Sequence, residues 1–438
     1  MLYHAITDLI GNTPLLEIDP QVHGLRHVRL YAKLEYANAF GSVKDRIAMG
    51  MLAPHLADLR ATGKTVLEAS SGNTGKALAL LAAVNGLGFK AITNRIKVNE
   101  MRMLLQLCGA EIEELPGLSD CPDLSDPNSY TVAAANLAAS HPDEYCYTDQ
   151  YFNAANWRSH YATTGREITE DLPHTDLFIG ALGTCGSSYG IGQYLRERDL
   201  ATQVWGVIAG PGHHIPGVRN ANELWEVGFF DRSFYQQVLE ATTDDAIDGV
   251  LALLRGCGML CGPTTGATYT AALRQLRELD ATCTQPYHVV FIACDRVEGY
   301  LSYFKTHRPE LFQPAATARP RVHALTAAAI AQAPEIGGAD LVTQLGEPLI
   351  IDMRGNFPYS IGHLPTSINI LDEFLTRMVE EGRVFAPERR IVLVCRLGDI
   401  SRRFAAFLCA QGYDAVSLRG GVTDWKAAGQ PLERSAHA

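Results

Sequence analysis

Four stretches of the 438-residue chain hold side chains whose types and order could do chemistry. In NAFGSVKDRIAMGML, Lys44 follows a Gly-Ser turn and opens a helix. The positive end of the helix dipole disfavours an ammonium there, which leaves the amine more available as a nucleophile. Taken alone, Lys44-Asp45-Arg46 reads equally well as a solvated helix start with a local ion pair. In LEASSGNTGKALAL a strand ends in Ser70, Ser71, Asn73 and Thr74 directly before an Ala-rich helix. Such a turn offers N–H and O–H donors to a carboxylate, and an ordinary capped turn has the same composition. IGALGTCGSSYGIGQYL repeats the plan with Gly183, Thr184, Cys185, Gly186, Ser187 and Ser188. There the glycines admit a phosphate close to the backbone and the hydroxyls complete its coordination. Finally, in RRIVLVCRLGDISRRFAAFLCAQG, Cys395 closes a strand and opens a loop into a helix, so that N–H groups can converge on its sulfur and stabilise a thiolate or persulfide. A bare VLVC is also the pattern of an inert buried strand cysteine.

The surrounding pattern supplies a scaffold. Between residues 28 and 294, β-branched runs alternate with stretches of helical periodicity, the pattern of an open, mostly parallel sheet with helices on both faces. Strands are predicted over VRLYAKLE, TVLEA, FKAIT, DLFIGA, QVWGVIA and HVVFIAC, and helices over 43–57, 73–85, 99–107, 156–171, 186–197 and 265–279. QPAATARPRVHALTAAAIAQAP is rich in Ala and Pro and suits a connector over 311–333. Beyond it, PLIIDMR, RRIVLVC and DAVSLRGG read as three buried strands between helical segments. The expected organisation is an α/β domain over 1–310, the connector, and a smaller α/β domain over 334–438.

Composition narrows the function classes. With 47% hydrophobic and 19% charged residues the chain is far from the disordered corner. A net charge of -11 has the wrong sign for a phosphate-backbone binder, so nucleic acid is not an expected partner. From residue 336 onward there are 11 basic and 12 acidic residues, which leaves nearly all the negative charge in the first part. No apolar run approaches the roughly 20 residues that cross a bilayer, and MLYHAITDLIGNTP lacks a basic region followed by a hydrophobic one; a cytoplasmic protein without a membrane partner is expected. The ten Cys show no paired CxxC spacing, so neither a metal site nor a disulfide framework is expected.

A reactive-lysine candidate, a donor turn and a phosphate cup in this order resemble the fold type II pyridoxal-phosphate enzymes, among them cysteine synthases and cystathionine β-synthases. The resemblance covers residues 6 to about 305 and rests on IGNTPLLEI, NAFGSVKDR, SSGNTG, DQYFNAANWRSHYATTGREI, GTCGSSYG and LCGPTTGATY. QYFNAANWRSHY and IPGVRNANELW are also similar to the siderophore-pathway synthases that join glutamate to phosphoserine. The resemblance implies a tryptophan synthase β-like fold of two α/β subdomains, a homodimer, and pyridoxal 5'-phosphate as cofactor. It implies that Lys44 holds the cofactor and moves the substrate α proton, that Asn73 bonds the cofactor's phenolic oxygen, and that Ser70, Ser71, Thr74 and Gln150 receive the substrate carboxylate. Gly183, Thr184, Cys185, Gly186, Ser187 and Ser188 would hold the phosphate. Thr264 falls where the family has Ser facing the pyridine nitrogen, and a neutral hydroxyl there favours loss of a β substituent over racemisation or transamination. Three departures stand out: Phe40, expected to narrow the mouth beside Lys44, Ser70 in place of Thr, and Cys185 in place of Gly. Cys185 reads as a small turn residue or, alternatively, as a sulfur relay.

LIIDMRGNFPYSIGHLPTSINI, CRLGDIS and LRGGVTDWKAAGQPL resemble a single-domain rhodanese. By this resemblance Cys395 carries sulfur, Arg396 gives its loop a positive charge that meets substrate, Asp352 and Arg354 support the loop after the first strand, and His363 belongs to a GH turn. Ile400 stands where many rhodaneses carry a basic residue. Together the two resemblances imply β-replacement on an activated L-serine, O-phosphoserine or O-acetylserine, by way of an aminoacrylate, with an amino-acid substrate and a sulfur donor as small-molecule partners and with sulfur carried on Cys395. Two alternatives stand beside this: an amine nucleophile giving a 2,3-diaminopropionate precursor, and a rhodanese domain that binds or regulates without carrying sulfur.

Overall fold

A computed structural model describes residues 2–94, 96, 98–115, 129–312, 321–344, 348–382, 385–386 and 388–435. The chain forms two compact units, Met1–Phe312 and Gln313–Ala438.

In the first unit a six-stranded sheet runs in the order β1 (Leu15–Glu17), β2 (Val28–Lys33), β10 (Tyr287–Ile292), β7 (Leu177–Ala181), β8 (Gln203–Ala209) and β9 (Gln237–Ala241). Only β1 is antiparallel to its neighbour. A four-stranded parallel sheet runs β5 (Glu111–Glu114), β4 (Phe89–Thr93), β3 (Thr65–Glu68) and β6 (Tyr145–Tyr147). The predicted strands are the ones buried on both faces, as parallel strands under helices must be. Leu177, Ile179, Val289 and Phe291 enter one apolar core, while their alternates Phe178, Val290 and Ile292 enter the other.

The helix predicted over 43–57 is divided: it runs over Lys44–Leu52, a 3-10 turn covers Ala53–His55 where Pro54 removes an N–H, and a second helix follows over Leu56–Thr62. The stretch predicted as one helix over 156–171 holds a π-helical insert at Tyr161–Gly165 between Ala155–His160 and Arg166–Asp171. The helix Gly186–Arg198 packs on this stretch so closely that a Cβ at Gly190 would lie 2.1 Å from the Trp157 carbonyl oxygen.

Arg46, one turn into the Lys44 helix, anchors the unit. Its Nε donates to Glu35 Oε2 at 2.7 Å and its Nη2 to Glu35 Oε1 at 2.8 Å. Nη1 and Nη2 reach the two oxygens of Glu167 at 2.6 and 2.7 Å. Glu167 also accepts the Asn12 and Thr13 N–H groups and lies 3.0 Å from Lys33 Nζ. All these side chains are buried, so the pairing is a desolvated network with nearly every lone pair and proton used. The local Lys44-Asp45-Arg46 ion-pair reading does not hold. Asp45 is buried and turns back to the Phe40 N–H (2.6 Å) and Ser42 Oγ (3.0 Å), while Arg46 goes elsewhere.

The second unit is a five-stranded parallel sheet in the order β11 (Glu335–Ile336), β15 (Ala415–Leu418), β14 (Ile391–Val394), β12 (Leu349–Asp352) and β13 (Ile368–Asn369). Two short strands, β11 and β13, add to the three expected. Part of the Ala- and Pro-rich stretch is not connector. Val322 is fully buried in this unit's core, its N–H donates to Glu380 at 2.9 Å, and a short helix follows over Ala327–Ala331. Residues 313–320, also assigned to the connector, lie outside the described residues.

Replacing Arg46 by Met leaves Glu35 and Glu167 buried and uncompensated, a loss of about 3–5 kcal/mol expected by chemical denaturation at neutral pH. Burial would raise the Glu167 carboxyl, but the Arg46 hydrogen bonds and charge, with Lys33, override it and bring it from 4.5 to about 2. A depressed carboxyl stabilises the fold above its ordinary value, so this contribution is expected to be lost as pH falls from about 4.5 towards 2, and the Met variant should show a flatter acid limb.

Candidate active site

The loops that leave the carboxyl ends of β3, β7, β8 and β10 converge, the place where parallel α/β sheets bind ligands. They enclose a cavity of about 310 Å³ lined by Lys44, Ser70, Ser71, Asn73, Thr74, Gln150, Gly183, Thr184, Cys185, Ser187 and Thr264, among others. Most residues singled out in the first unit thus meet in one space. Gly186 and Ser188 sit behind the loop. A Cβ at Gly186 would collide with the Asn156 amide, and Ser188 Oγ bonds the Cys185 carbonyl oxygen (3.0 Å) and Tyr235 Oη (2.8 Å), so the Ser188 hydroxyl does not reach the cavity. Phe40 does not narrow the mouth either. With its N–H held by Asp45, its side chain packs into the apolar cluster beneath the smaller sheet.

Lys44 opens its helix with its N–H on Ser42 Oγ at 3.2 Å and lines the cavity. Burial lowers its proton affinity, and the neighbouring Cys294 and Asp295 only partly oppose this. Opposite stands the donor turn. Ser70 Oγ accepts the Gly72 and Gly75 N–H groups at 3.3 and 3.4 Å, so this hydroxyl also caps its own turn. Thr74 Oγ1 donates to Gln150 Oε1 at 2.6 Å, and the Gln150 N–H donates to the buried Glu68 at 3.3 Å. Glu68 also accepts Thr148 Oγ1 at 2.5 Å, and burial pushes its carboxyl up to about 7. This carboxyl ties the end of β3 to the loop that carries Gln150.

Across the cavity, Cys185 takes the left-handed conformation (φ 61°) at the start of the Gly186–Arg198 helix, and a Cβ at Gly183 would approach the Gly217 carbonyl oxygen to 2.6 Å. Thr184 Oγ1 accepts from Asn156 Nδ2 at 3.1 Å. The backbone is thereby left close to the cavity at a helix N-terminus, a cradle for a phosphate. Burial holds the Cys185 thiol up at about 12, so it stays protonated and its turn-residue reading is favoured over the relay. Thr264 Oγ1 donates to the Pro216 carbonyl oxygen at 2.8 Å and presents a neutral oxygen to the cavity.

Asp295, Tyr300 and Arg219 also line the cavity and were not found from the sequence. Asn73 Nδ2 donates to Asp295 Oδ2 and lies 3.2 Å from Tyr300 Oη, while Tyr300 Oη donates to Asp295. Asp295 Oδ1 is buried with no hydrogen-bond partner among the described residues. Asp295 follows β10 directly, so reading what stands just past every strand, and not only past the Gly-rich ones, would have found it. Arg219 is buried with its guanidinium 5.2 Å from the Tyr151 ring centre. Its signal was a single basic residue in IPGVRN, a segment without periodicity. The site fits pyridoxal phosphate: a desolvated lysine, an amide donor, a glycine-lined anion cradle and a neutral hydroxyl face one space.

In the second unit Cys395 ends β14 beside β12, at the point where the strand order reverses. Its Sγ accepts the N–H groups of Gly398 (3.1 Å) and Ser401 (3.4 Å) and Ser401 Oγ–H (3.2 Å). These donors stabilise a thiolate or persulfide. Asp352 holds Arg354 through both carboxylate oxygens, Arg354 Nη2 donates to the Gly362 carbonyl oxygen at 2.8 Å, and the His363 ring stacks on Tyr359. Arg396 is exposed, and its side chain lines a groove beside the loop.

Among the described residues no cluster of His, Cys, Asp or Glu could hold a metal, and no helix is long and apolar enough to cross a membrane. Residues 6–295 match the family model described as pyridoxal-phosphate dependent enzyme, and residues 339–428 match that of the rhodanese-like domain. Cysteine synthase B of Pseudomonas aeruginosa is 33% identical over 306 residues, covering 68% of this chain and 96% of that protein. Cystathionine beta-synthase of Saccharomyces cerevisiae is 32% identical over 325 residues, covering 69% of this chain and 62% of that protein. The crystal structure of O-acetyl serine sulfhydrylase isoform 3 from Entamoeba histolytica superposes with a TM-score of 0.59 at 27% identity, covering 69% of this chain and 91% of that one. With a lysine, a donor turn and a phosphate cradle facing one cavity, the chain belongs to the fold type II pyridoxal-phosphate-dependent enzymes, as a cysteine synthase and cystathionine β-synthase homologue that carries a C-terminal rhodanese-like domain.

Proposed function

We propose that the first unit performs β-replacement on an activated L-serine with a sulfur nucleophile, and that Cys395 carries the sulfur as a persulfide. One observation carries the first half: Lys44 and the Ser71, Thr74 and Gln150 turn line the same small cavity, so a substrate carboxylate held by the turn leaves the α carbon within the space that the amine faces. When bound there, pyridoxal phosphate supplies an electron sink for carbanion chemistry at that carbon. Thr74 and Gln150 fix the carboxylate, and their mutual hydrogen bond fixes them. Lys44, with its proton affinity lowered by burial, takes up the α proton and returns it. Asn73, braced by Asp295 and Tyr300, keeps one N–H for an oxygen of the cofactor. The Arg219 guanidinium in the wall suits a negatively charged O-substituent, which favours O-phosphoserine over O-acetylserine. The three donors on Cys395 Sγ support the second half.

Lys44→Ala is expected to remove the visible absorbance band of the lysine-bound cofactor and to abolish turnover while leaving the far-UV circular dichroism unchanged. Arg219→Met should lower kcat/KM for O-phosphoserine about tenfold more than for O-acetylserine, measured in parallel assays. Mass spectrometry of the product formed with sulfide, with persulfide and with an amine checks the nucleophile. A sulfur-containing amino acid is expected, and formation of a diaminopropionate derivative alone would replace this reading by amine addition.

A further inference from the structure

Around Cys395 the charges fall into two zones. The zone at the sulfur holds no exposed cation. Asp399 Oδ1 stands 3.5 Å from Sγ, and the loop's outward side chains there are Leu397, 58% exposed, and Ile400, 41% exposed. The Ile400 N–H, with the neighbouring sulfur, holds the Asp399 carboxyl below the usual carboxylate range, so it is ionised at neutral pH. The cations lie one step away, in a groove of about 660 Å³ between the turn after β12 and the helix Gly421–Ala427. Its walls are apolar at Pro358, Val422 and Ala427 and carry Arg354, Arg396 and Lys426. Arg354 is satisfied by Asp352. Arg396 and Lys426 are exposed, and neither forms an ion pair with a described carboxylate.

The groove and the sulfur belong to one mouth. The Val422 N–H donates to the Cys395 carbonyl oxygen at 3.0 Å, and the Thr423 N–H and Oγ1 donate to the Arg396 carbonyl oxygen at 3.1 and 2.9 Å. A ligand that delivers sulfur here meets a carboxylate and apolar side chains at its reacting end and positive charge only farther out. Thiosulfate is the reverse, since its charge sits on the same few atoms as the transferable sulfur and would be pressed against Asp399. An organic persulfide can place its sulfur at Cys395 and its carboxylate in the groove, with carbon between them.

We infer that Cys395 takes its sulfur from an organic persulfide that carries a carboxylate on a short apolar chain, the carboxylate being held by Arg396 and Lys426. This rests on the reading of Cys395 as the sulfur carrier. In the transfer the Cys395 thiolate attacks the outer sulfur of the donor R–S–SH. The donor's S–S bond breaks as a new one forms on Cys395, and R–S⁻ leaves, taking up the proton that Cys395 gave away. One S–S bond replaces another, so no oxidant or reductant is consumed.

The test loads the full-length protein with glutathione persulfide, which has two carboxylates, with the uncharged persulfide of 2-mercaptoethanol, and with thiosulfate, and follows one added sulfur atom on Cys395 by intact mass. Glutathione persulfide is expected to load at least about tenfold faster than either alternative. Lys426→Met should cut the rate ratio of glutathione persulfide to 2-mercaptoethanol persulfide by about tenfold, and Asp399→Asn should raise the thiosulfate rate. Thiosulfate loading as fast as glutathione persulfide, or a ratio unmoved in a folded Lys426→Met protein, overturns the inference and leaves the carrier reading intact. Failure of every donor to load Cys395 in a protein with native circular dichroism overturns the carrier reading, and the inference with it.

Discussion

The buried guanidinium of Arg46 is the constraint from which the catalytic unit is built. It lies two residues after Lys44 and is gripped by Glu35, just past β2, and by Glu167, on the far side of a π-helical insert. Three elements distant in sequence are therefore held to the one helix turn that presents the reactive amine. Fully paired, such a network adds little net stability over apolar packing, but it permits one arrangement, because any slip leaves a charge buried without a partner. Position, rather than stability, is what a nucleophilic lysine needs, since small displacements at a reacting atom are costly in rate.

The same division between charge that fixes and charge that reacts recurs at both sites. Around Lys44, Glu68 and Asp295 are buried carboxyls whose oxygens take donors from neighbouring loops, and burial raises both. Thr264 adds none, so the cavity presents a desolvated amine, neutral donors and one carboxylate already engaged by Asn73 and Tyr300. At Cys395 neutral backbone and hydroxyl donors surround the sulfur, and the guanidinium of Arg354 is spent on Asp352.

The central strands and the site-bearing turns were legible because they obey strong local rules. β4, FKAIT, is buried at every residue, and glycines and hydroxyls cluster where strands end. The strands that escaped notice carry no such mark. β5 is EIEE at a sheet edge, alternately exposed, while β11 and β13 are two residues long and owe their existence to neighbours. The helix Thr243–Cys257 was missed despite a capping box at Thr242 and Asp245, a signal that a systematic search for such pairs would have caught. Val322 reads as linker because one apolar residue among Ala and Pro has no periodicity, and only tertiary packing reveals what it fills. The partners of Arg46 were illegible for a deeper reason: Glu35 and Glu167 are 11 and 121 residues from it, and a single sequence does not state who pairs with whom at that range.

The strand order has a kinetic consequence. β10, the last strand of the first unit to be made, lies between β2, near the beginning of the chain, and β7. The larger sheet therefore cannot close during synthesis until Ile292 has left the ribosome, and until then β2 and β7 each show an unpaired edge. The nascent chain passes most of its translation with an open sheet, a state in which chaperone contact or pairing with a wrong strand competes with completion.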